Sequence, residues 1–125
     1  VGASGADRLV GGTGYDVFVF AANSSAPGAR DVIAAGDGAI AFQGAGAGAG
    51  DRFDLSGYDA NTTQGGVQDW IFGTSHAKGH LWMTTSGKQT ILNGNLDNDA
   101  AIEFQVAIDD AAVAASAYKV QDFIL

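Results

Sequence analysis

A nine-residue pattern repeats in tandem at the start of the chain and constrains the fold more than any other feature. Gly2–Val10 and Gly11–Val19 both read Gly, small residue, any residue, Gly, any residue, Asp, any residue, large apolar residue, any residue. The glycines permit tight turns with positive φ in which carbonyl oxygens converge, and the aspartate adds a carboxylate. Leu9 and Phe18 then point inward from short strands. The tandem register predicts a parallel β-roll that holds calcium at its turns.

The ligands of such a roll come from both carbonyl and carboxylate groups. One coil takes two nonapeptides, and calcium bridges turns that are stacked on the same side. We therefore expect the Asp16 carboxylate to serve a site shared with the Ser24–Asp31 segment, about one coil further along. A plain β-hairpin with Gly- and Asp-rich turns is the alternative interpretation of the same residues. The candidate calcium ligands are Gly2, Ala3, Gly5, Asp7, Gly11, Gly12, Gly14, Asp16 and Asp31.

Composition agrees with a hard cation as the partner. The 125 residues suit a single domain and include 14 acidic but only 6 basic side chains, for a net charge of −8. Such a chain lacks the basic stripe required by nucleic acids or anionic membranes. The absence of cysteine excludes disulfides and thiolate sites and leaves oxygen ligands, which suit calcium. No apolar run approaches the ~20 residues of a membrane span, and no N-terminal signal peptide is visible.

The rest of the chain reads as short strands separated by Gly, Asn, Asp and Ser turns, which predicts an all-β fold. Gly44–Gly50 alternates glycine and alanine and is interpreted as an inserted loop. Asp109–Lys119 is the one segment with a helical pattern, and either a helix or an irregular segment fits it. The expected strands are Asp31–Ile33, Ala39–Phe42, Arg52–Leu55, Trp70–Phe72, His80–Met83, Thr90–Leu92 and Ile102–Ile108.

Several segments, taken in order, resemble the C-terminal domain of the serralysin-type RTX family. Gly11–Phe20 is similar to that family's last nonapeptide with its exit strand, and Ser24–Ile33 resembles the segment that closes the calcium array. Gly50–Ser56 looks like the family's G-x-D-x-I-D-L-S motif. Asp122–Leu125 matches the acidic-plus-three-apolar terminus of substrates of type I secretion systems. The chain departs from the family at Ala41–Phe42, where the family usually has Asp-Phe.

The resemblance implies a short parallel β-roll packed on an antiparallel, sandwich-like β-sheet part, with calcium between successive turns. Residues 1–43 would end the calcium β-roll, residues 44–50 form the Gly/Ala insertion, and residues 51–125 form the β-rich C-terminal part. That part would carry an uncleaved export signal, read by a type I ABC exporter while the chain is unfolded. Once folded, the terminus is expected to pack as an edge strand on Ile102–Ile108.

The same resemblance implies a secreted, extracellular module that is not itself an enzyme. Family members attach such a module to an upstream catalytic or adhesive domain of the same polypeptide. Clustered carboxylates would repel one another where calcium is scarce and would be neutralised by millimolar calcium outside the cell. No Gly-x-Ser-x-Gly elbow or other ordered catalytic set is present in the sequence, so we predict no catalytic residues.

Two further groups of residues admit a functional and a structural interpretation. Asn95, Asp97 and Asp99 place oxygen ligands at positions 1, 3 and 5 of an EF-hand-like loop. Ala100 and Val106 stand where that loop needs Gly and Glu, so an Asx-rich hairpin turn is the favoured interpretation.

The second group is aromatic. A sugar-stacking platform would make the chain a carbohydrate-binding or adhesion module, which is the alternative function. Aromatic residues in alternating strands more often belong to the core. The four residues concerned are Trp70, Trp82, Tyr58 and Phe72.

Overall fold

The structure, a computed structural model, describes residues 5–125, and its regular secondary structure consists almost entirely of short strands joined by turns and loops. Within that range the helical elements are two three-residue 3₁₀ turns, Ala115–Ala117 and Val120–Asp122. The predicted all-β fold class is therefore confirmed. None of these described helical turns is long and apolar enough to cross a membrane. The strands are β1 (Arg8–Leu9), β2 (Val17–Val19), β3 (Asp31–Ile33), β4 (Arg52–Asp54), β5 (Ile71–Phe72), β6 (His80–Ser86), β7 (Gln89–Asn95), β8 (Phe104–Ile108) and β9 (Phe123–Ile124).

Six of the strands alternate between two sheets and form three coils of a parallel β-roll. In the larger sheet β1 pairs with β3 and β3 with β8, while in the smaller sheet β2 pairs with β4 and β4 with β9. All four pairings are parallel, so the chain winds through β1–β2, then β3–β4, and finally β8–β9. The parallel coils thus continue well beyond residue 43.

Register brings the large apolar residues of the coils into two rows. Leu9, Ile33 and Ile108 are aligned in the larger sheet, and Phe18, Phe53 and Phe123 are aligned in the smaller one. Both rows contribute to one hydrophobic core. Leu9 and Phe18 were the two positions that the nonapeptide pattern predicted to point inward, and both contribute to this core.

A mainly antiparallel part extends the larger sheet, whose order is β1-β3-β8-β7-β6-β5, and its last strand β5 pairs parallel with β6. β6 and β7, which are each seven residues long, form a hairpin, and β7 also pairs antiparallel with β8. The indole of Trp70 lies so close to β7 that a Cβ at Gly94 would be 2.9 Å from the ring. Glycine is therefore required at that position, and the antiparallel strands share one core with the roll.

One expected strand is wrong, and of the two interpretations left open for Asp109–Lys119 the structure shows the irregular segment. Ala39–Phe42 is not a strand; Ile40 is 62% exposed, whereas the neighbouring Ala41 and Phe42 are buried. The Phe42 ring stacks on Phe53 at 4.6 Å, so the segment enters the core from a turn. Asp109–Lys119 is not an α-helix, because Ala111 and Ala112 adopt left-handed φ values of 55° and 69° and interrupt any helix that begins at Asp109.

The C-terminal strand also differs from expectation. β9 pairs with β4 and not with the Ile102–Ile108 strand, because it completes the third coil in the smaller sheet. Just before it, the buried Asp122 carboxylate accepts hydrogen bonds of 2.8 Å from the Gly46 and Lys119 amides. The Gly44–Gly50 loop is thereby tied to the terminus. A Cβ at Gly46 would collide with the Ala117 carbonyl, so this contact requires glycine.

Candidate metal sites at the turns of the roll

An aspartate precedes the apolar residue of each of the first four strands by two positions. Parallel pairing places Asp7 beside Asp31 in the larger sheet and Asp16 beside Asp51 in the smaller one. The Asp7 amide donates a hydrogen bond to Asp31 Oδ1 at 2.9 Å, and the Asp16 amide donates one to Asp51 Oδ1, also at 2.9 Å. The first two coils therefore carry a pair of stacked aspartates at the start of each sheet's strands.

This pairing corrects the expectation that Asp16 shares a site with the Ser24–Asp31 segment. Successive strands alternate between sheets, so Asp16 and Asp31 begin strands in opposite sheets. The residue stacked on Asp16 is Asp51, 35 positions further along the chain. The corresponding separation between Asp7 and Asp31 is 24. The longer segment in the second coil contains the Gly44–Gly50 loop, which makes the repeat harder to see in the sequence.

Three carboxylate oxygens at these turns are buried without a hydrogen-bond partner. They are the Oδ2 atoms of Asp7, Asp16 and Asp31. Asp31 is fully buried. Burial raises the pKa of the Asp31 carboxyl; the hydrogen bond from the Asp7 amide lowers it in part, and the nearby Asp7 carboxylate raises it again. A buried carboxylate oxygen without a donor is costly, and a cation would supply the missing partner.

The glycines around Asp16 bring further oxygen atoms to the same turn. Gly12 and Gly14 have φ values of 88° and 108°, in the left-handed region that favours glycine. A Cβ at Gly11 would lie 2.7 Å from Asp16 Oδ2, so the carboxylate occupies space that only glycine leaves free. Positions 11, 12, 14 and 16 of the predicted ligand set therefore form one compact turn.

The turn of the next coil lies directly against this one. A Cβ at Gly12 would be 3.6 Å from Asp37 Cβ, and a Cβ at Gly38 would be 3.6 Å from the Thr13 methyl group. Turns on the same side of the roll are therefore stacked, as the pattern predicted.

Of the other predicted ligands, the described residues Gly5, Asp7 and Asp31 lie at the turns that precede the strands of the larger sheet. Gly5, with φ of 113°, belongs to the same turn as Asp7, which is stacked on Asp31. Gly2 and Ala3, also predicted as ligands, lie outside the described residues. The structure thus divides the predicted set into two groups, one around Asp16 and one around Asp7 and Asp31.

Sequence reasoning missed three residues that support these turns. Asp51 is buried, and its second oxygen accepts the Gln43 amide at 2.9 Å. The Gln43 side chain reaches the carbonyls of Gly12 and Gly14. The buried Ser25 hydroxyl accepts the Asp31 amide at 2.7 Å. Asp51 was visible as a fourth Asp-x-apolar triplet, Asp51-Arg52-Phe53, whereas no local signal marks Gln43 or Ser25.

The acidic loop after β7 forms the predicted Asx-rich turn and also brings three carboxylates together. Asn95, Asp97 and Asp99 each accept, through Oδ1, the amide of the residue two positions on, at 2.8–3.1 Å, which is the Asx-turn arrangement. Carboxylate oxygens of Asp97, Asp99 and Glu103 also lie within 4.8 Å of one another. Glu103 Oε2 in addition accepts the Leu96 amide at 2.7 Å. The turn is therefore Asx-rich, and its three carboxylates are close enough together to hold one cation.

The aromatic residues do not form an exposed platform. Tyr58, Trp70 and Trp82 are only 2%, 2% and 6% exposed. The Trp82 ring is covered by His76, which stacks on it at 4.1 Å between ring centroids. Tyr58 and Trp70 belong to the hydrophobic core and the half-buried Phe72 packs against it, as the more common interpretation of such residues predicted, whereas Trp82 is buried under His76 outside that cluster.

Comparison with solved structures finds chains of similar fold, whereas the sequence comparisons find no match. No family model matches the sequence, and no curated protein sequence matches it. The chain is similar in fold to the AlgE6R3 subunit of the Azotobacter vinelandii mannuronan C5-epimerase. That solution structure matches with a TM-score of 0.50 and 21% sequence identity, over 96% of this chain and 58% of that one. The chain thus spans little more than half the length of its relative, and the likeness shows a shared all-β fold.

Proposed function

We propose that this chain is a non-catalytic, calcium-binding module of a larger secreted protein and that calcium completes the turns of its roll. The observation that carries the proposal is the set of three buried, unpartnered carboxylate oxygens on Asp7, Asp16 and Asp31. All three belong to the predicted ligand set: Asp7 and Asp16 come from the nonapeptides, and Asp31 comes from the Ser24–Ile33 segment that follows them. The acidic net charge of −8 favours a cationic partner.

The residues present fit calcium in number and in kind. Calcium takes six to eight oxygen ligands in flexible geometry, from carboxylates, carbonyls and water. The carbonyls of Gly11, Gly12 and Gly14 and the Asp16 carboxylate would contribute to one site. The Gly5 carbonyl and the carboxylates of Asp7 and Asp31 would contribute to another, together with Gly2 and Ala3. The carboxylates of Asp97, Asp99 and Glu103 would belong, with Asn95, to a third, weaker site.

Calcium would act here by neutralising charge that the fold buries. The Asp7 and Asp31 carboxylates repel one another, and burial of Asp31 adds a desolvation cost. Extracellular calcium modules bind with a Kd of ~10⁻⁴–10⁻³ M. At a hundredfold excess over Kd, each occupied site adds about 2.7 kcal/mol to the free energy of unfolding. That is a large share of the ~5–15 kcal/mol of a small domain.

Magnesium is expected to be a poor substitute. It demands near-ideal octahedral geometry, dehydrates reluctantly and prefers to keep several waters. Turn carbonyls held by backbone geometry, such as those of Gly12 and Gly14, cannot adjust to its shorter ligand distances.

The direct test is thermal unfolding of the purified chain in millimolar calcium, in millimolar magnesium and in EGTA. Calcium should raise the melting temperature, whereas magnesium should leave it near the EGTA value. Identical melting temperatures in calcium and EGTA would refute the proposal.

We also propose that the C-terminal region carries the secretion signal that a type I ABC exporter recognises. The proposal is supported by the resemblance of Asp122–Leu125 to the acidic-plus-three-apolar end of such secretion signals. Because Asp122 also anchors the Gly44–Gly50 loop, deletion of the terminus would disturb folding and export together. The segment 109–125 should therefore be appended to an unrelated passenger in cells carrying a matching exporter, with and without Asp122–Leu125. Secretion of the complete fusion alone is expected, and retention of both fusions would contradict the proposal.

A further inference from the structure

The Gln43 side chain occupies a position of particular interest at the Asp16 turn. Its amide nitrogen Nε2 lies 2.8 Å from the Gly12 carbonyl oxygen and 2.7 Å from the Gly14 carbonyl oxygen. The Gln43 backbone amide donates to Asp51, which in turn accepts the Asp16 amide. The Gln43 backbone is thus held beside the stacked aspartates Asp16 and Asp51. Its side chain reaches the turn that contains Gly12 and Gly14.

The chemistry of the contact fixes the orientation of the amide. A side-chain amide has two N–H donors on nitrogen and an oxygen that only accepts. The reversed orientation would set Oε1 against two carbonyl oxygens and leave all three without a donor. The NH₂ group therefore faces the turn, and it can give one hydrogen to Gly12 and the other to Gly14.

Two carbonyl oxygens that converge on one donor atom also converge on the place that a cation would take. Calcium sits 2.3–2.6 Å from its oxygen ligands, only a few tenths of an ångström closer than Nε2 lies to these two oxygens. The amide nitrogen and the ion would overlap if both occupied that position. They also use the same lone pairs, since both need the carbonyl oxygens as their partners.

We propose that Gln43 is an internal competitor of calcium at the Asp16 turn. This inference rests on the proposed calcium-binding function. The Gln43 amide holds the Gly12 and Gly14 carbonyls by hydrogen bonds, and calcium must displace it to use them as ligands. Gln43 thereby lowers the calcium affinity of this site and keeps the turn ordered at low calcium concentration. It sets the calcium concentration at which the Asp16 turn is filled.

Calorimetric titration with calcium of the wild type, Gln43→Ala and Gln43→Glu tests the proposal. Both variants remove the two donors, and Glu keeps the side-chain length if the alanine variant folds poorly. We expect the affinity of one site to increase about tenfold in Gln43→Ala, because displacing two neutral hydrogen bonds no longer opposes binding. Gln43→Glu should bind more tightly still. Gln64→Ala, at an exposed glutamine, is the matched control and should not change affinity.

A weaker site in Gln43→Ala would overturn the proposal and make Gln43 a ligand through Oε1, and an unchanged affinity would make it a bystander. In both of these cases the wild type still binds calcium, so only the inference about Gln43 fails. Absence of calcium binding in every variant would overturn the proposed function as well. The side-chain NH₂ resonances of Gln43 give a second readout: they should move towards the values of a free amide as calcium is added, and unmoved resonances would contradict displacement.

Discussion

The aspartate turns of the roll and the outer face of the antiparallel sheet both bury polar groups, but they satisfy them differently. Asn93 on β7 is 2% exposed, yet its side chain donates to Ile91, Trp82 and Thr84 and accepts from Gln105. At the turns, the Oδ2 atoms of Asp7, Asp16 and Asp31 are buried and accept nothing. The sheet supplies both donors and acceptors from its own strands, whereas the turns supply chiefly acceptors. A cation would therefore complete the turns, whereas Asn93 already has partners for both its amide oxygen and its amide nitrogen.

The largest effect should come from the hydrophobic core that the roll and the antiparallel strands share, and it should not depend on calcium. Phe104 is fully buried and packs edge-to-face against Phe20 and Tyr58. Phe104→Ala should lower the free energy of unfolding by about 3–5 kcal/mol, equally in calcium and in EGTA, as measured by urea unfolding. Val67→Ala, at a residue 62% exposed, is the control. A loss confined to the calcium condition would contradict the division between the two regions.

Removal of a turn carboxylate should instead lower the free energy of unfolding only when calcium is present. Asp16→Asn keeps the shape of the side chain but removes its charge, so it should abolish about 2–3 kcal/mol of calcium-dependent stabilisation. In EGTA the variant should be at least as stable as the wild type, because one unpartnered carboxylate is no longer buried. Asp54→Asn, whose carboxylate accepts from Ser56 at an exposed position, is the matched control. Full retention of the calcium effect in Asp16→Asn would exclude Asp16 as a ligand.

Asp122 provides an intermediate case: a buried carboxylate that backbone donors do satisfy. Asp122→Ala removes the acceptor of the Gly46 and Lys119 amides, and hydrogen bonds to charged groups contribute about 1.5–3 kcal/mol. We expect a loss of about 2 kcal/mol in both calcium and EGTA, measured by urea unfolding. Asp122→Asn should recover part of it. A change in calcium affinity would show that the Gly44–Gly50 loop is coupled to the sites.

The sequence predicted those parts of this comparison that depend on local patterns. The nonapeptides predicted the inward residues Leu9 and Phe18 and the carboxylates of Asp7 and Asp16, because turn chemistry and alternation are encoded within nine residues. The bounds of β3 were predicted in full, since Asp31–Ile33 repeats the same triplet. The pairing of residues that are distant in the chain could not be predicted from such local patterns.

Several failures share one cause, which is contact between segments that are distant in the chain. Asp16 pairs with Asp51 because the strands alternate between sheets. Phe42 is buried by stacking on Phe53 from a turn, so an alternating pattern alone suggested a strand. The Gly44–Gly50 loop is ordered by Asp122, 76 residues from its contact at Gly46. No local pattern reports such contacts.

The smallest effect expected is a pH dependence in the calcium-independent region. Burial, and then the hydrogen bond from its hydroxyl to Asp110 at 2.8 Å, raise the pKa of Tyr118 far above its usual value. The folded state therefore keeps the phenol proton when the unfolded chain loses it above about pH 10. Stability should fall as pH rises above that value, by up to ~1.4 kcal/mol per pH unit, and should be insensitive to this group below it. The free energy of unfolding of Tyr118→Phe, measured with urea, should fall less steeply with rising pH than that of the wild type. An equally steep fall would show that Tyr118 is not the group responsible.

Amide hydrogen exchange in calcium and in EGTA tests the central claim most directly, because it reads the two regions in one molecule. The Asp7 and Asp16 amides, which donate to Asp31 and Asp51, report on the turns. The amides of β7 report on the antiparallel sheet. Calcium should slow exchange at the turns by about the factor of 100 that corresponds to 2.7 kcal/mol, while the β7 amides exchange alike in both conditions. Equal protection of Asp7 and Asp16 with and without calcium, or a calcium effect spread evenly over both regions, would contradict the account.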